Sequence, residues 1–315
     1  MQTDILTREL PSRILTKETL IRGKPVQLKC IEIGGQQYAL SPGPAKVVSL
    51  EDEWYEDVKD PELVIQTLKN SDLKADIFTF WQRPPDLEPK YNYYMEWDSI
   101  AVLPIQSRDH WFNKQISSRQ RGQIRKAMKE GLEVRETVYD DDFVRGMTEI
   151  FNETPVRQGR RFWHYGKDFE TIKRQFSKYI HRESMIGAYY QGEMIGVVML
   201  ANAGNFGITG QILSKLKHRD KTPNNVLMWK TVEVCEKKKL PYLVYYYWSD
   251  DSRAEFKRRC GFEKKEAPRY FVPLTPKGAL ALKLRLHRGW KNALPDQIKG
   301  PLKNLRKFLY GMKGE

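Results

Sequence analysis

The stretch from residue 183 to residue 239 confines the fold more tightly than any other part of the chain. MIGAYYQ, MIGVVMLANAG and FGITGQILSKL are three strand-length runs, the first pair turned by Gly192, and NNVLMWKTVEVCEKKK after them has helical length and pattern. Thr222 and Pro223 precede that helix at its N-cap and first helical position, where a proline ring costs no hydrogen bond. Two helices come before the strands, DDDFVRGMTEIF and KDFETIKRQFSKYI, the first with aspartates at its dipole's positive end. After them come the buried-type strand YLVYYYW, a helix over 252–260 with Glu255 spaced for a capping box on Ser252, the stop Gly261, and a last strand RYFVPL. Helix, helix, three strands, helix, strand, helix, strand predicts an α/β (α+β) mixed sheet with helices on its faces. In such sheets ligands bind at strand ends and helix N-termini.

The first half is less regular. VQLKCIEI and QQYALS around Gly34 and Gly35 read as a hairpin, 61–69 as a helix, and ADIFTFW and SIAVLPI as strands on either side of the loop QRPPDLEPKY. Residues 107–131 are helical in pattern, with Ile116, Ile124, Ala127 and Met128 on one side and Arg121, Arg125 and Lys129 recurring on an adjacent one. The hairpin at Gly34 echoes the one at Gly192. Two readings stay open, an internal duplication and a coincidence of a common motif.

Composition excludes whole classes of protein. Hydrophobic residues at 40% suit an ordinary globular chain, and 315 residues suit two domains or one large one. No run approaches membrane-spanning length and MQTDILTRELPSR lacks the features of a secretion signal, so a cytoplasmic protein is expected. Three separated cysteines and five scattered histidines give neither a disulfide framework nor a metal site. The net charge of +14 is concentrated in two places: residues 107–130 carry seven basic and two acidic side chains, and 277–315 carry ten and two. With the remainder nearly neutral, a diffuse nucleic-acid coat is excluded and two local patches need anionic partners.

The order of elements over 140–274 resembles the GNAT fold of acyltransferases, and EFKRRCGFEKKEAPRYFVPL resembles the Phe-Lys-x-x-(Phe/Cys)-Gly ending of its Fem-like branch. SSRQRGQIRKAMKEGLEV is similar to the Arg-rich helix that joins the two halves in that branch. The resemblance implies two GNAT-like lobes in tandem around mixed sheets, and transfer of an acyl or aminoacyl group to an amine, with peptidoglycan precursors the acceptors of the best-known members. It departs at one point. GNAT enzymes that use acetyl-CoA usually carry Gln/Arg-x-x-Gly-x-Gly/Ala before the long helix, and here HRDKTPNN, residues 218–225, contains no glycine. A helix N-terminus flanked by Arg219, Lys221 and Thr222, with amides from Asn224 and Asn225 onward, remains suited to a pyrophosphate or to the end of an aminoacyl-tRNA. A capped helix with solvated lysines reads the same way.

Acyl transfer to an amine needs a base, stabilisation of developing negative charge and relief of charge on the leaving group. The resemblance maps its Phe-Lys pair onto Phe256 and Lys257, the lysine being the charge stabiliser. Asp250, after YLVYYYW, is the candidate base, although aspartates there also suit a helix cap. Tyr245, Tyr246 and Tyr247 alternate across a strand, and Tyr246 is taken as the one facing the cleft. In the loop RQGRRFWHY, Arg157 would clamp an anionic group, His164 would relay a proton and Tyr165 would line the acceptor site; a packed aromatic anchor is the competing reading. Arg121 and Arg125 would grip phosphate of a precursor or of tRNA.

The division expected is 1–135 for an N-terminal lobe, 136–275 for the acyltransferase lobe and 276–315 for a basic extension. Leu302, Leu305 and Leu309 beside Lys303, Arg306 and Lys307 suit either an interfacial helix on an anionic membrane or a tail docked on its own domain. The function expected is an N-acyltransferase using acetyl-CoA, another acyl-CoA or aminoacyl-tRNA as cosubstrate, with no metal and no tightly bound cofactor. Two alternatives remain, a non-catalytic scaffold that binds membrane or nucleic acid, and an acetyltransferase of small soluble amines.

Overall fold

The structure is a computed structural model and describes residues 13–21, 24–41, 43, 45–178, 180–248 and 252–288. The chain forms two compact units. Among the described residues, unit 1 takes the chain up to Arg83, Glu88–Glu96 and Pro268–Arg288, and unit 2 takes Pro84–Leu87 and Trp97–Ala267. The boundary expected near residue 135 falls inside unit 2.

Unit 1 starts with an antiparallel meander, β1 (Arg13–Ile21), β2 (Lys24–Ile33), β3 (Gln36–Ser41) and β4 (Val47–Leu50). The β2–β3 turn requires positive φ at Gly34 and Gly35, which is why that pair was legible as a hairpin. Helix α1 (Pro61–Asn70) then crosses to β5 (Ile77–Trp81), parallel to β4. The Asp60 carboxylate accepts from the Leu63 amide at 3.0 Å, so the tip of α1 already holds a negative charge. The core lies between α1 and this sheet, with Val64, Ile65 and Leu68 against Ile31, Tyr38, Phe78, Phe80 and Tyr270.

Two strands start in one unit and end in the other, β6 (Tyr94–Pro104) and β14 (Glu263–Pro273). In unit 2 the basic stretch is not one helix. A helical turn, α2 (Arg108–His110), runs into a π turn over Trp111–Gln115, Ile116 is extended, and Ser117 caps a new helix, α3 (Ser118–Lys129). Trp111 causes the break: it is fully buried and its indole N–H donates to the Cys260 carbonyl at 2.9 Å. β7 (Leu132–Thr137) leads to α4 (Asp141–Asn152), a two-residue hairpin of β8 (Val156–Arg157) and β9 (Arg160–Arg161), and α5 (Phe169–Phe176). The meander β10 (Glu183–Tyr190), β11 (Glu193–Asn202) and β12 (Gly207–Ser214) follows, then α6 (Pro223–Lys237) crosses to β13 (Tyr242–Tyr245), parallel to β12. α7 (Ser252–Arg259) follows, while the capping box on Ser252 involves a side chain outside the described residues. In unit 2 the strand order is β6-β13-β12-β11-β10-β7.

Each unit thus has an antiparallel meander followed by a helix that crosses to a parallel strand, the repeat hinted at by the two glycine hairpins, and the GNAT-like mixed α/β architecture is present. β11 reads as a continuous apolar run because both of its faces are covered. Ile195, Val198 and Leu200 pack with α3 and α6, whereas Val197 and Met199 pack with α4 and α5. Among the described residues no helix is long and apolar enough to cross a membrane. The tail residues Leu302, Leu305 and Leu309 lie outside the described residues.

Candidate active site

The two crossovers differ in a way that singles out unit 2. β12 and β13 pair at only two positions, Gly207 with Leu243 and Ile208 with Val244. Thr209 Oγ1 donates to the Val244 carbonyl at 3.3 Å, and β12 then runs on to Ser214 paired only with β11. The register slip between Met199 and Leu200 marks a bulge at Gly210, which bends β12 away from β13. The strands therefore splay, and residues Gln211 to Ser214 are half-buried where a sheet interior would be closed.

Helix α6 starts at this same end of the sheet. Unlike α1 it has no side-chain cap: Thr222 sits in the left-handed region at φ 51°, its carbonyl accepts from the Asn225 amide at 3.0 Å, and its hydroxyl makes no capping bond. The N-cap position expected for Thr222 is correct and the capping hydrogen bond is not made. Such a φ strains a β-branched residue and is where glycine would ordinarily stand. The Asn224 side-chain oxygen is buried with no hydrogen-bond partner among the described residues. Asn225 Nδ2 instead donates to Gln123 Oε1 of α3 at 3.1 Å. Arg219 is exposed, and Lys221 pairs with Asp220 at 3.3 Å while lying over the Tyr190 ring. These residues offer a dipole, backbone amides and one exposed cation to an anionic group, without the bare glycine approach.

Lys257 is buried at the end of β13 and its ammonium is engaged. Nζ donates to the carbonyls of Tyr245 at 3.3 Å, Tyr246 at 2.8 Å and Tyr247 at 2.6 Å, and lies over the Tyr245 ring. At 3% exposure it holds the turn that ends β13. The surface-lysine reading is excluded, and contact with a reacting group would require release of at least one carbonyl. The expected alternation does not extend through the tyrosine run, because β13 ends at Tyr245: Tyr245 packs towards Phe262, Tyr246 is half-buried, and Tyr247 is 61% exposed at positive φ. Asp250 lies outside the described residues.

The α4–α5 loop departs from its expected use. Arg157 is a cross-brace: Nη1 donates to the Ser214 carbonyl at 2.8 Å, and Nη2 donates to the Ile150 carbonyl at 2.7 Å and to Glu153 at 3.0 Å. It therefore ties the loop to the end of β12 instead of presenting a clamp. Glu153 completes the tie by accepting from the amides of Leu216 and Lys217 at 2.6 and 2.9 Å. His164 is 1% exposed and packed by Phe151, Phe162, Trp163 and Phe176. Burial, and secondly the Lys167 ammonium 3.3 Å from Nδ1, lower its pKa from 6.5 to about 3, so it is neutral and shielded from solvent. The packed aromatic anchor is the reading that holds, and Tyr165 is exposed at its rim. Arg121 is likewise turned inward, donating to the Ile116 carbonyl at 2.7 Å and the Asn113 carbonyl at 3.3 Å, whereas Arg125 is exposed beside the Phe112 ring.

Sequence reasoning missed the clamp that fixes the β12 end. Buried Lys215 donates to Glu149 at 2.5 Å and Glu193 at 2.6 Å, and Glu193 also pairs with Lys217 and His218. Hydrogen bonds from Lys215 and Lys217 lower the Glu193 carboxyl to about 2. These partners are 22 to 66 residues apart in sequence, so spacing gave no signal. A concavity of about 800 Å³ lies on the α4 side of this end, lined by Glu130, Glu133, Arg135, Asp142, Glu149 and Tyr189 among others. No predicted site residue lines it.

No family model and no curated protein matches the sequence. Solved structures do match. FemX has a TM-score of 0.55 at 12% identity, covering 86% of this chain and 90% of its own. The C-terminal domain of a putative lysylphosphatidylglycerol synthetase from Agrobacterium fabrum has a TM-score of 0.55 at 12% identity, covering 81% and 86%. L-PGS from Bacillus licheniformis has 0.53 at 11%, covering 82% and 88%. At this identity the likeness shows the fold, which is the one the Fem-like resemblance implies.

Proposed function

We propose that the chain is an N-acyltransferase that moves an acyl or aminoacyl group from an anionic activated donor to an amine. The observation that carries this reading is the splay of β12 from β13 at Gly210, beside an α6 tip that no side chain caps. A donor phosphate would lie at the α6 amides and Arg219, with its acyl end directed along the opened strand edge. The names of the neighbours support the class, since FemX and the lysylphosphatidylglycerol synthetases share this fold.

In the reaction the amine lone pair attacks the acyl carbon, the carbon–sulfur bond of a thioester or the carbon–oxygen bond of an aminoacyl ester breaks, and the amine gives up a proton. Asp250 takes that proton, Tyr246 supplies one to the leaving group, and Lys257 keeps the β13 end in place and adds positive charge beneath the reacting carbonyl. The glycine-free turn at Thr222 favours aminoacyl-tRNA over coenzyme A, because no bare backbone cradles a pyrophosphate there. The acceptor would meet Tyr165, the exposed member of the expected acceptor set on the α4–α5 loop. A cell-envelope amine is the acceptor class the Fem-like resemblance suggests.

The test incubates the full chain with acetyl-CoA, longer acyl-CoA or aminoacyl-tRNA and a panel of amines, read by mass spectrometry. An acyl mass added to an amine supports the proposal, and no transfer from either donor class refutes it. A non-catalytic scaffold has one observation in its favour, the Lys257 ammonium already spent on three carbonyls. It predicts salt-sensitive binding to RNA or liposomes without turnover.

A further inference from the structure

Helix α8 (Pro276–Lys283), in unit 1, has one face fixed and one face bare. Thr275 Oγ1 caps it by accepting the Gly278 amide at 3.0 Å, and Ala281 and Leu282 are buried with Ile77 and Phe271. Gly278 lies so close to the Asp76 carbonyl that a side chain there would clash, so the helix cannot roll. With that orientation set, Leu280 is left 56% exposed, Leu284 52% and Leu286 38%. Leu280 and Leu284 are four residues apart and share one helical face. Exposed Lys283 and Arg285 flank them. Residues 276–288 contain no acidic side chain, and the carboxylates nearby are taken: Asp76 pairs with Lys277 at 3.0 Å, and Glu96 pairs with His287 and Arg288.

Three occupants are open to such a face. The chain that follows is a poor one, because residues 289–315 carry six basic and two acidic side chains and would bring like charge to Lys283 and Arg285. A second copy of α8 meets the same repulsion. An anionic bilayer satisfies both halves of the surface, hydrocarbon for the leucines and phosphate for the cations, and the basic chain after residue 288 adds to that attraction.

We infer that Leu280 on the outer face of α8 and Leu284 and Leu286 in the turn that follows it, with Lys283 and Arg285, dock onto an anionic lipid bilayer. The inference is independent of acyl transfer, since an inactive chain would bind equally well. The experiment is cosedimentation of the full chain with phosphatidylcholine vesicles with and without phosphatidylglycerol. It uses wild type, Leu280→Gln/Leu284→Gln, Lys283→Glu/Arg285→Glu, and the control Lys69→Glu, an exposed lysine of α1, which covers the opposite face of the unit 1 sheet. All substitutions are at exposed positions, and thermal melting checks that each variant remains folded. Wild type should bind the phosphatidylglycerol vesicles and release with salt, the leucine pair should weaken binding about tenfold, the charge pair by a similar factor, and the control by nothing. Absence of vesicle binding by wild type overturns the inference. So does equal binding by the leucine variant, which would assign attachment to the basic tail alone, or a concentration-dependent dimer that the leucine variant abolishes while vesicle binding is unchanged.

Discussion

Protonating His164 in the folded chain is the perturbation whose size follows most directly from the structure. The ring is enclosed by four aromatic side chains, and Lys167 Nζ donates to Nδ1, which leaves the ring proton on Nε2. Burial first, and the Lys167 charge second, lower the folded pKa from 6.5 to about 3. Between these values the unfolded chain binds a proton that the folded chain does not, so stability is full above 6.5 and is lost as pH falls toward 3. Evaluated between pH 7 and pH 5, that linkage removes about 2 kcal/mol, or roughly 4–8 °C in melting temperature for a unit of this size. Urea denaturation of wild type and His164→Phe at both pH values measures it. Phenylalanine suits the aromatic surroundings and cannot titrate, so wild type should lose about 2 kcal/mol more than the variant on acidification. Lys167→Met should lessen the loss, because it removes the second cause. Equal pH dependence in wild type and His164→Phe would refute the buried neutral imidazole and return His164 to the list of proton carriers.

Lys257→Met keeps the volume but leaves three carbonyls without their ammonium, so it should cost roughly 3–5 kcal/mol as well as turnover; a variant as stable as wild type by chemical denaturation would show that the contacts are dispensable. Arg219→Ala, at an exposed position, should weaken donor binding about tenfold with unchanged melting temperature, and unaltered affinity by titration would remove the α6 tip from the donor site. Gly278→Ala would drive a Cβ into the Asp76 carbonyl oxygen. It should destabilise by about 3 kcal/mol or more, and calorimetry reads the loss. Glu193→Gln should flatten the acid limb of the stability profile. The wild-type carboxylate contributes stability above its usual 4.5 that is lost as pH falls through about 2, and an unchanged acid limb would show that its lysine partners, Lys215 and Lys217, do not act in solution.

The sequence by itself determined the order of elements from α4 to β14, apart from the two-residue hairpin of β8 and β9. Local rules sufficed there: Asp140 and Asp168 stand at helix N-caps, Pro223 opens α6, Gly192 turns the β10–β11 hairpin and Gly261 follows α7. The same rules failed at residues 107–131, where the periodicity predicts one helix and the burial of Trp111 against Cys260 breaks it in two. The cause is a contact 149 residues away in the chain, and no window of sequence contains it.

Side-chain roles were decided by tertiary structure alone. Arg121, Arg157, His164 and Lys257 were all marked by residue type as groups that would meet a substrate, and all four are turned inward onto carbonyls or aromatic rings. Arginine, histidine and lysine carry the same donors whether they face a ligand or satisfy a buried acceptor, so composition and spacing cannot distinguish the two uses. What distinguishes them is which acceptors the fold leaves unpaired, such as the carbonyls at the end of β13, and that is fixed only when distant strands pair and then part.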